Sequence, residues 1–346
     1  MNHTYLEIHK QPITWEKTLS HLQQKAKTNQ FLNKKYDEII FTGCGSSYNL
    51  SLTASYLWQA INQERTRGVP ASEIFLFPEG VFLPNQQYLL FGISRSGETS
   101  ETIKALQTSE KENTTIDTVG ITCEDNSTLI HYSKYQVITS EAHEESVVMT
   151  QSFSTMLLSL LFLALKKKEN LPRALFELPS LLNELLPTGE RIVQSLANDF
   201  SFEKFIFLGS GPFYGIAWEG SLKLKEMSLT PTETFHFLEF RHGPKSIVDE
   251  KTLIIALTSE KAFDLEKVVL SEMISLGATI LNLGKKPLNL DKSKIVEIVF
   301  ENPSLNDFFT PILDVVFLQL LGYFRACNKG LNPDKPKNLT KVVKLN

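Results

Sequence analysis

The sequence predicts an α/β fold made of two tandem doubly wound parallel sheets, and three observations carry that prediction. Short Val-, Ile- and Phe-rich runs alternate with stretches long enough to be crossover helices, the pattern of parallel strands joined by helices. Those runs are nearly continuous in apolar character rather than alternating, as expected for strands covered on both faces. A turn of one type also occurs twice: Phe41-Thr-Gly-Cys-Gly-Ser-Ser-Tyr48 recurs as Phe207-Leu-Gly-Ser-Gly-Pro-Phe-Tyr214, each after a strand-like run. With 346 residues the chain has room for two ordinary domains, and duplication of one unit is the economical reading.

Taken in order, residues 1–30 form an N-terminal helical segment. In the first half, strands are expected near 38–42, 73–77, 88–94, 118–122 and 135–139, flanked by Gly or Ser. The longest apolar run, Met156 to Leu165, is too short to span a bilayer and reads as a buried helix. Residues 171–200 are Leu-rich and punctuated by Pro172, Pro179 and Pro187, which marks a helical connector rather than a third domain. The second half repeats the scheme, with strands near 204–208, 232–237, 253–258, 279–283 and 296–300. The expected organisation is therefore a first domain over 31–170, the connector over 171–200, a second domain over 201–335 and a tail over 336–346. Each domain is a flavodoxin-like αβα sandwich.

Composition bounds the function. Hydrophobic residues make up 42% and charged residues 21%, the balance of a soluble globular protein. A net charge of -4 offers no global attraction to nucleic acid or anionic membrane. Cys44, Cys123 and Cys327 are far apart, with no CxxC pair and no His/Cys cluster, so neither a disulfide framework nor a zinc site is expected. The polar start, Met1 to Pro12, carries no secretory signal, and the expected location is cytoplasmic. In the Gly43-Cys-Gly45 turn, Tyr48 stands where a dinucleotide fingerprint needs its third glycine. No cofactor is expected.

The sharpest chemical signal is Ser94-Arg-Ser-Gly-Glu-Thr-Ser100 after an apolar strand. One Ser or Thr at a helix start is ordinarily a cap. The hydroxyls of Ser94, Ser96 and Thr99, a glycine and Arg95 together point to an anion site, because backbone N–H groups and the helix dipole act on the same point. The corresponding strand end, Ile254-Ile-Ala-Leu-Thr-Ser-Glu-Lys261, lacks that cluster, so one phosphate site per chain is expected. Farther on, spacings of four and three put Glu219, Lys223 and Glu226 on one helix face. Such a stripe is ordinarily a solvated face. Here it starts beside a Gly-rich turn, and a carboxylate next to a lysine suits proton abstraction beside a carbonyl. His242, in the short turn Glu239-Phe-Arg-His-Gly-Pro-Lys245, can exchange a proton near neutral pH.

At these residues the sequence resembles the sugar-isomerase (SIS) domain family, in particular the isomerase half of glucosamine-6-phosphate synthase and stand-alone hexosamine-phosphate deaminase/isomerases. The likeness runs through Glu7-Ile-His-Lys-Gln-Pro12, the Gly43–Tyr48 and Ser94–Thr99 turns, Trp218 to Glu226, Arg241-His-Gly-Pro244 and Asp334-Lys-Pro-Lys-Asn-Leu-Thr-Lys341. No glutaminase half is expected, since the chain leaves no residues for one.

The resemblance implies roles. Ser47, Ser94, Ser96 and Thr99 hold a sugar 6-phosphate; Cys44, Gly45 and Ser46 line the sugar, as does the segment Val148, Met149, Thr150, Gln151. Glu226 is the base that moves a proton between C1 and C2, and Glu219 and Lys223 polarise hydroxyls. His242 opens the sugar ring in the neighbouring subunit's site, so a homodimer is implied, and Lys341 touches the open-chain sugar. Two departures stand out: Arg95 replaces an uncharged amide of the synthase and is expected to strengthen phosphate binding, and Met149 replaces a small polar residue. The segment Arg241-His-Gly-Pro-Lys-Ser246 is more similar to the deaminase/isomerase branch. The implied activity is deamination of a hexosamine 6-phosphate. Plain aldose–ketose isomerisation, deglycation of a fructosamine 6-phosphate and non-catalytic sensing of a sugar phosphate stay open.

Overall fold

A computed structural model describes residues 2–25, 30–109 and 115–345. Positions 26–29, which close the expected helical segment 1–30, lie outside the described residues, as does the last residue of the tail. The elements run α1 (His3–Lys25), β1 (Glu38–Gly43), α2 (Ser46–Asn62), β2 (Thr66–Pro70), α3 (Ala71–Leu76), β3 (Gln87–Ile93), α4 (Ser100–Ser109), β4 (Thr115–Thr122), α5 (Thr128–His131), β5 (Tyr135–Ile138) and α6 (Gln151–Lys167). Then follow α7 (Arg173–Asn198), β6 (Lys204–Gly209), α8 (Phe213–Ser228), β7 (Thr232–Phe235), β8 (Thr252–Leu257), α9 (Phe263–Ser275), β9 (Thr279–Gly284), β10 (Ile295–Val299) and α10 (Thr310–Asn328).

Among the described residues the strands form two five-stranded sheets, ordered β2-β1-β3-β4-β5 and β10-β9-β8-β6-β7, and every pairing is parallel. Counted from its own first strand, each sheet has the same order. The central strands β1, β6 and β8 are buried or nearly so along their whole length, which is why they read as continuous apolar runs. In the first sheet Phe41 of β1 faces Phe91 of β3 in register; their rings stack at 4.6 Å and Trp58 of α2 closes over both. This packing presses α2 onto the sheet and fixes where the turn before it ends.

Nine of the ten expected strands are present within a few residues. The exception is 73–77, which is α3, while the fifth strand of that sheet is β2 at Thr66–Pro70. Its sequence Thr-Arg-Gly-Val-Pro has little apolar signal because it lies on the sheet edge, where a terminal proline costs no ladder bond. Pro70 then starts α3, and the apolar run that looked like a strand instead buries Ile74 in the core. The connector is one helix: α7 continues through Pro179 and Pro187, held by a stripe of Leu175, Leu178, Leu182, Leu186, Val193 and Leu196 at helical spacing. Burial of that stripe outweighs a cost of about 3 kcal/mol per interior proline.

The chain divides into two compact units, one of residues 1–9 and 180–339 and the other of residues 10–179 and 340–346. The tail carrying Lys341 thus belongs with the first sheet. By length and composition α10 would suffice to cross a membrane, but 89% of that stretch is buried within the protein.

Candidate active site

In an open sheet, the carboxyl ends of the two strands from which the chain winds in opposite directions leave a crevice. In the first sheet those strands are β1 and β3, so the crevice is bounded by the turns 43–47 and 94–99. Gly45 has φ +54, a conformation that favours glycine, and a Cβ on Gly43 would lie 2.6 Å from the Cβ of Ser47. Those two positions let the chain enter α2 with Ser46 and Ser47 buried at its first turn. Cys44 is half-buried, its thiol 3.8 Å from the Thr102 hydroxyl of α4, and burial pushes its pKa up to about 11. A thiol in that state stays protonated near neutral pH.

The second turn gathers the expected hydroxyls. Ser94 Oγ lies 2.9 Å from Thr99 Oγ1 and accepts the Gly97 N–H at 3.1 Å, and Ser96 Oγ accepts the Glu98 N–H at 3.2 Å. Gly97 has φ +65, and a Cβ there would meet Ser127 Oγ at 2.1 Å. The one acid in the turn is directed elsewhere: the Glu98 carboxylate takes the Thr128 N–H and hydroxyl at 2.7 and 2.8 Å, at the start of α5. A cluster of donors at a helix start, with its acid turned away, suits a phosphate.

Arg95 is employed differently from the expectation. Its guanidinium is buried and donates to Glu144 Oε2 at 3.1 Å, to the Ser146 carbonyl at 3.4 Å, to the Val147 carbonyl at 2.8 Å and to the Lys341 carbonyl at 3.2 Å. It is thus spent on the protein's own acceptors. Glu144, which the sequence reading missed, is the hub. Its carboxylate also accepts the Thr150 N–H and hydroxyl at 2.7 and 2.9 Å and the Ser152 N–H and hydroxyl at 3.0 and 2.6 Å, holding the first turn of α6. The Lys341 ammonium donates to the Glu144 carbonyl. Nothing in Glu-Glu-Ser-Val-Val marks Glu144 over Glu145; only burial separates them.

The same network places the segment 148–151. Val148 and Thr150 are buried, and the Gln151 amide is tied to the His143 carbonyl at 2.7 Å and the Thr14 hydroxyl at 2.9 Å. Those side chains, expected to line the sugar, are buried in the wall that carries Met149. Met149 is the half-buried member, its sulfur 4.0 Å from Ser47 Oγ. The structure therefore brings together the turns 44–47 and 94–99, the segment 147–151 and Lys341.

In the other unit, α8 carries the expected charged face, but the face is not solvated. Glu219 and Lys223 are completely buried, and Lys223 Nζ lies 3.4 Å from Glu219 Oε1 and 2.5 Å from Glu226 Oε2. Only Glu226 retains exposure, 20% of its side chain. The burial follows from α10 crossing α8 closely: a Cβ on Gly322 would meet the Lys223 carbonyl at 3.0 Å, and one on Gly220 would meet Leu318 at 2.5 Å. His242 sits on an exposed turn at Gly243 (φ +114), and its neighbouring cations are taken by one acid, since Arg241 donates twice to Glu272 and Lys245 lies 3.6 Å from it.

The turn of the second sheet that corresponds to 94–99 is filled by the protein's own carboxylates. Glu266 accepts the Ser259 N–H at 2.7 Å and its hydroxyl at 3.1 Å, and Asp307 accepts the N–H groups of Glu260 and Lys261 at 2.7 and 3.1 Å. Burial pushes the Glu266 carboxyl up to about 7.

A family model described as SIS domain matches residues 31–166 and 201–291. The glutamine-fructose-6-phosphate aminotransferase (isomerizing) of Buchnera aphidicola is 32% identical over 97% of this chain and 57% of its own length. The chain thus spans little more than half of the curated relatives it matches. A glucosamine-6-phosphate deaminase from Thermotoga maritima has a similar structure, with TM-score 0.82 and 34% identity over 99% of this chain and 100% of that one. The C-terminal domain of glucosamine-fructose-6-phosphate aminotransferase from Francisella tularensis has TM-score 0.87 and 29% identity over 97% of this chain and 98% of that one.

Proposed function

Because the chain belongs to the SIS domain family, we propose that it is an enzyme acting on sugar phosphates, and specifically an amino-sugar 6-phosphate deaminase/isomerase that forms a ketose 6-phosphate and ammonia. The observation that carries this reading is the buried Glu219–Lys223 pair, with Lys223 fixing the one accessible carboxylate of the group, Glu226. Burying two charges on a helix is costly, and such groups are retained where their chemistry is used. The full-length similarity to a protein described as a glucosamine-6-phosphate deaminase supports the amino-sugar substrate.

In this reading the hydroxyls of Ser47, Ser94, Ser96 and Thr99 take the phosphate. His242, contributed by a second copy of the chain, opens the ring by proton transfer. Glu226 then removes the C2 proton to leave an enolamine and returns it at C1, giving a ketimine. Water adds to the ketimine and ammonia leaves. Lys223 holds one Glu226 oxygen, so that the other meets the substrate, and Lys341 stands by the open-chain sugar.

The test is ammonia release from glucosamine 6-phosphate and from galactosamine 6-phosphate, with ketose 6-phosphate measured in parallel. Ammonia and ketose in equal amounts from either sugar support the reading, and Glu226→Gln is then expected to slow turnover by about a thousandfold. Ketose formation from an aldose phosphate, or tight phosphosugar binding without turnover, with no ammonia from either amino sugar, would overturn deamination.

A further inference from the structure

We propose that Arg95 is a positioning residue that fastens the C-terminal tail, and Lys341 with it, to the wall of the site. Arg95 is within reach of three further acceptors besides its buried ion pair with Glu144: the Ser146 and Val147 carbonyls next to the wall segment and the Lys341 carbonyl in the tail. A planar guanidinium with five donors can serve such acceptors at once, where a lysine ammonium cannot. Glu144 completes the ring, because its carboxylate holds Arg95 while its carbonyl accepts the Lys341 ammonium. One more bond holds the tail farther along, from the Leu345 N–H to Ser100 Oγ at 3.1 Å.

The phosphate turn does not depend on this side chain. The Arg95 carbonyl is held separately, by the Cys123 N–H at 3.0 Å and the Thr122 hydroxyl at 3.0 Å, so the backbone of 94–99 keeps its course when the guanidinium is removed. Losing Arg95 is therefore expected to free the tail while leaving the phosphate donors in place.

Two readouts test this, of which the second rests on the proposed function and the first does not. The first is limited trypsin digestion of the native full-length protein followed by mass spectrometry. Arg95→Gln is expected to speed cleavage after Lys341 and Lys344 by about tenfold, the size of one lost charged hydrogen bond, while cleavage after the exposed Lys104 on α4 stays as in wild type. The second is steady-state turnover with the amino-sugar phosphate: kcat is expected to fall about tenfold while KM moves by less than about threefold. If Arg95→Gln does not fold, Arg95→Lys keeps a charge opposite Glu144 but lacks the fork, and the same tail-specific cleavage is expected. Unchanged cleavage at Lys341, or cleavage raised equally at every site, overturns the proposal. So does a rise in KM with kcat unchanged, which would assign Arg95 to phosphate binding. Should wild type turn over no amino-sugar phosphate, the functional reading fails and the cleavage pattern still decides the role of Arg95.

Discussion

Two buried acids, Glu144 and Asp314, differ in their partners. Glu144 is surrounded by N–H groups, hydroxyls and a guanidinium. Asp314 on α10 is completely buried with no hydrogen-bond partner for either oxygen among the described residues, and burial raises its pKa well above the usual carboxylate range. Glu266, with burial outweighing its bonds to Ser259, is raised to about 7. Asp314 and Glu266 both have folded-state pKa values above their unfolded ones, so their contribution to stability is full below the unfolded pKa and is lost as pH rises through the folded one. Between about pH 4.5 and 7 the melting temperature is therefore expected to decline in part through Glu266, and Glu266→Gln should flatten that slope. Asp314→Asn is expected to raise stability at pH 7 by about 1–3 kcal/mol and to change it less at pH 4; thermal melts at the two values check the sign.

At the level of elements, the catalytic proposal depends on how closely α10 crosses α8. Gly220 lies one residue after Glu219, and a Cβ there would stand 2.5 Å from Leu318 and 2.9 Å from Phe207. Alanine is the better helix former by about 1 kcal/mol, yet it would push the helices apart. Gly220→Ala is expected to destabilise the protein by about 1–3 kcal/mol in denaturant unfolding, because overpacking outweighs propensity. The same displacement should lower turnover in whatever protein remains folded, since Lys223 is buried by that crossing. The turn ending β8 makes a second point about elements. Glu266 and Asp307 occupy its N–H groups with carboxylates, whereas Glu98 in the turn ending β3 is bonded to Thr128. Two sheets of the same order thus end in turns of opposite character.

At the scale of the whole molecule, the reading that His242 serves a neighbouring subunit makes the assembly part of the chemistry. A dimer is expected in light scattering at assay concentrations. Inactive Glu226→Gln and His242→Asn chains, refolded or expressed together, should form mixed dimers with one intact site and recover about a quarter of wild-type activity. No recovery in a demonstrated mixed dimer would place His242 in its own chain's site or outside the chemistry.

How far the sequence reaches is visible in particular residues. Nearly continuous apolar runs flanked by Gly or Ser disclosed β1, β3, β6 and β8, because a strand covered on both faces leaves few positions for polar side chains. The hydroxyl cluster of 94–99 was legible for a local reason, since the residues that meet there are adjacent in the chain. Spacing likewise put Glu219, Lys223 and Glu226 on one face of a helix. Only the tertiary structure decided that this face is buried, because the close approach of α10 is set by residues about a hundred positions away. Tertiary structure also decided that the Arg95 guanidinium meets Glu144 and the Lys341 carbonyl, that the run from Glu73 to Leu76 is helix, and that the expected helical connector continues unbroken through Pro179 and Pro187. In each case the deciding energy is burial or a partner distant in sequence, and neither is written in the local pattern of residues.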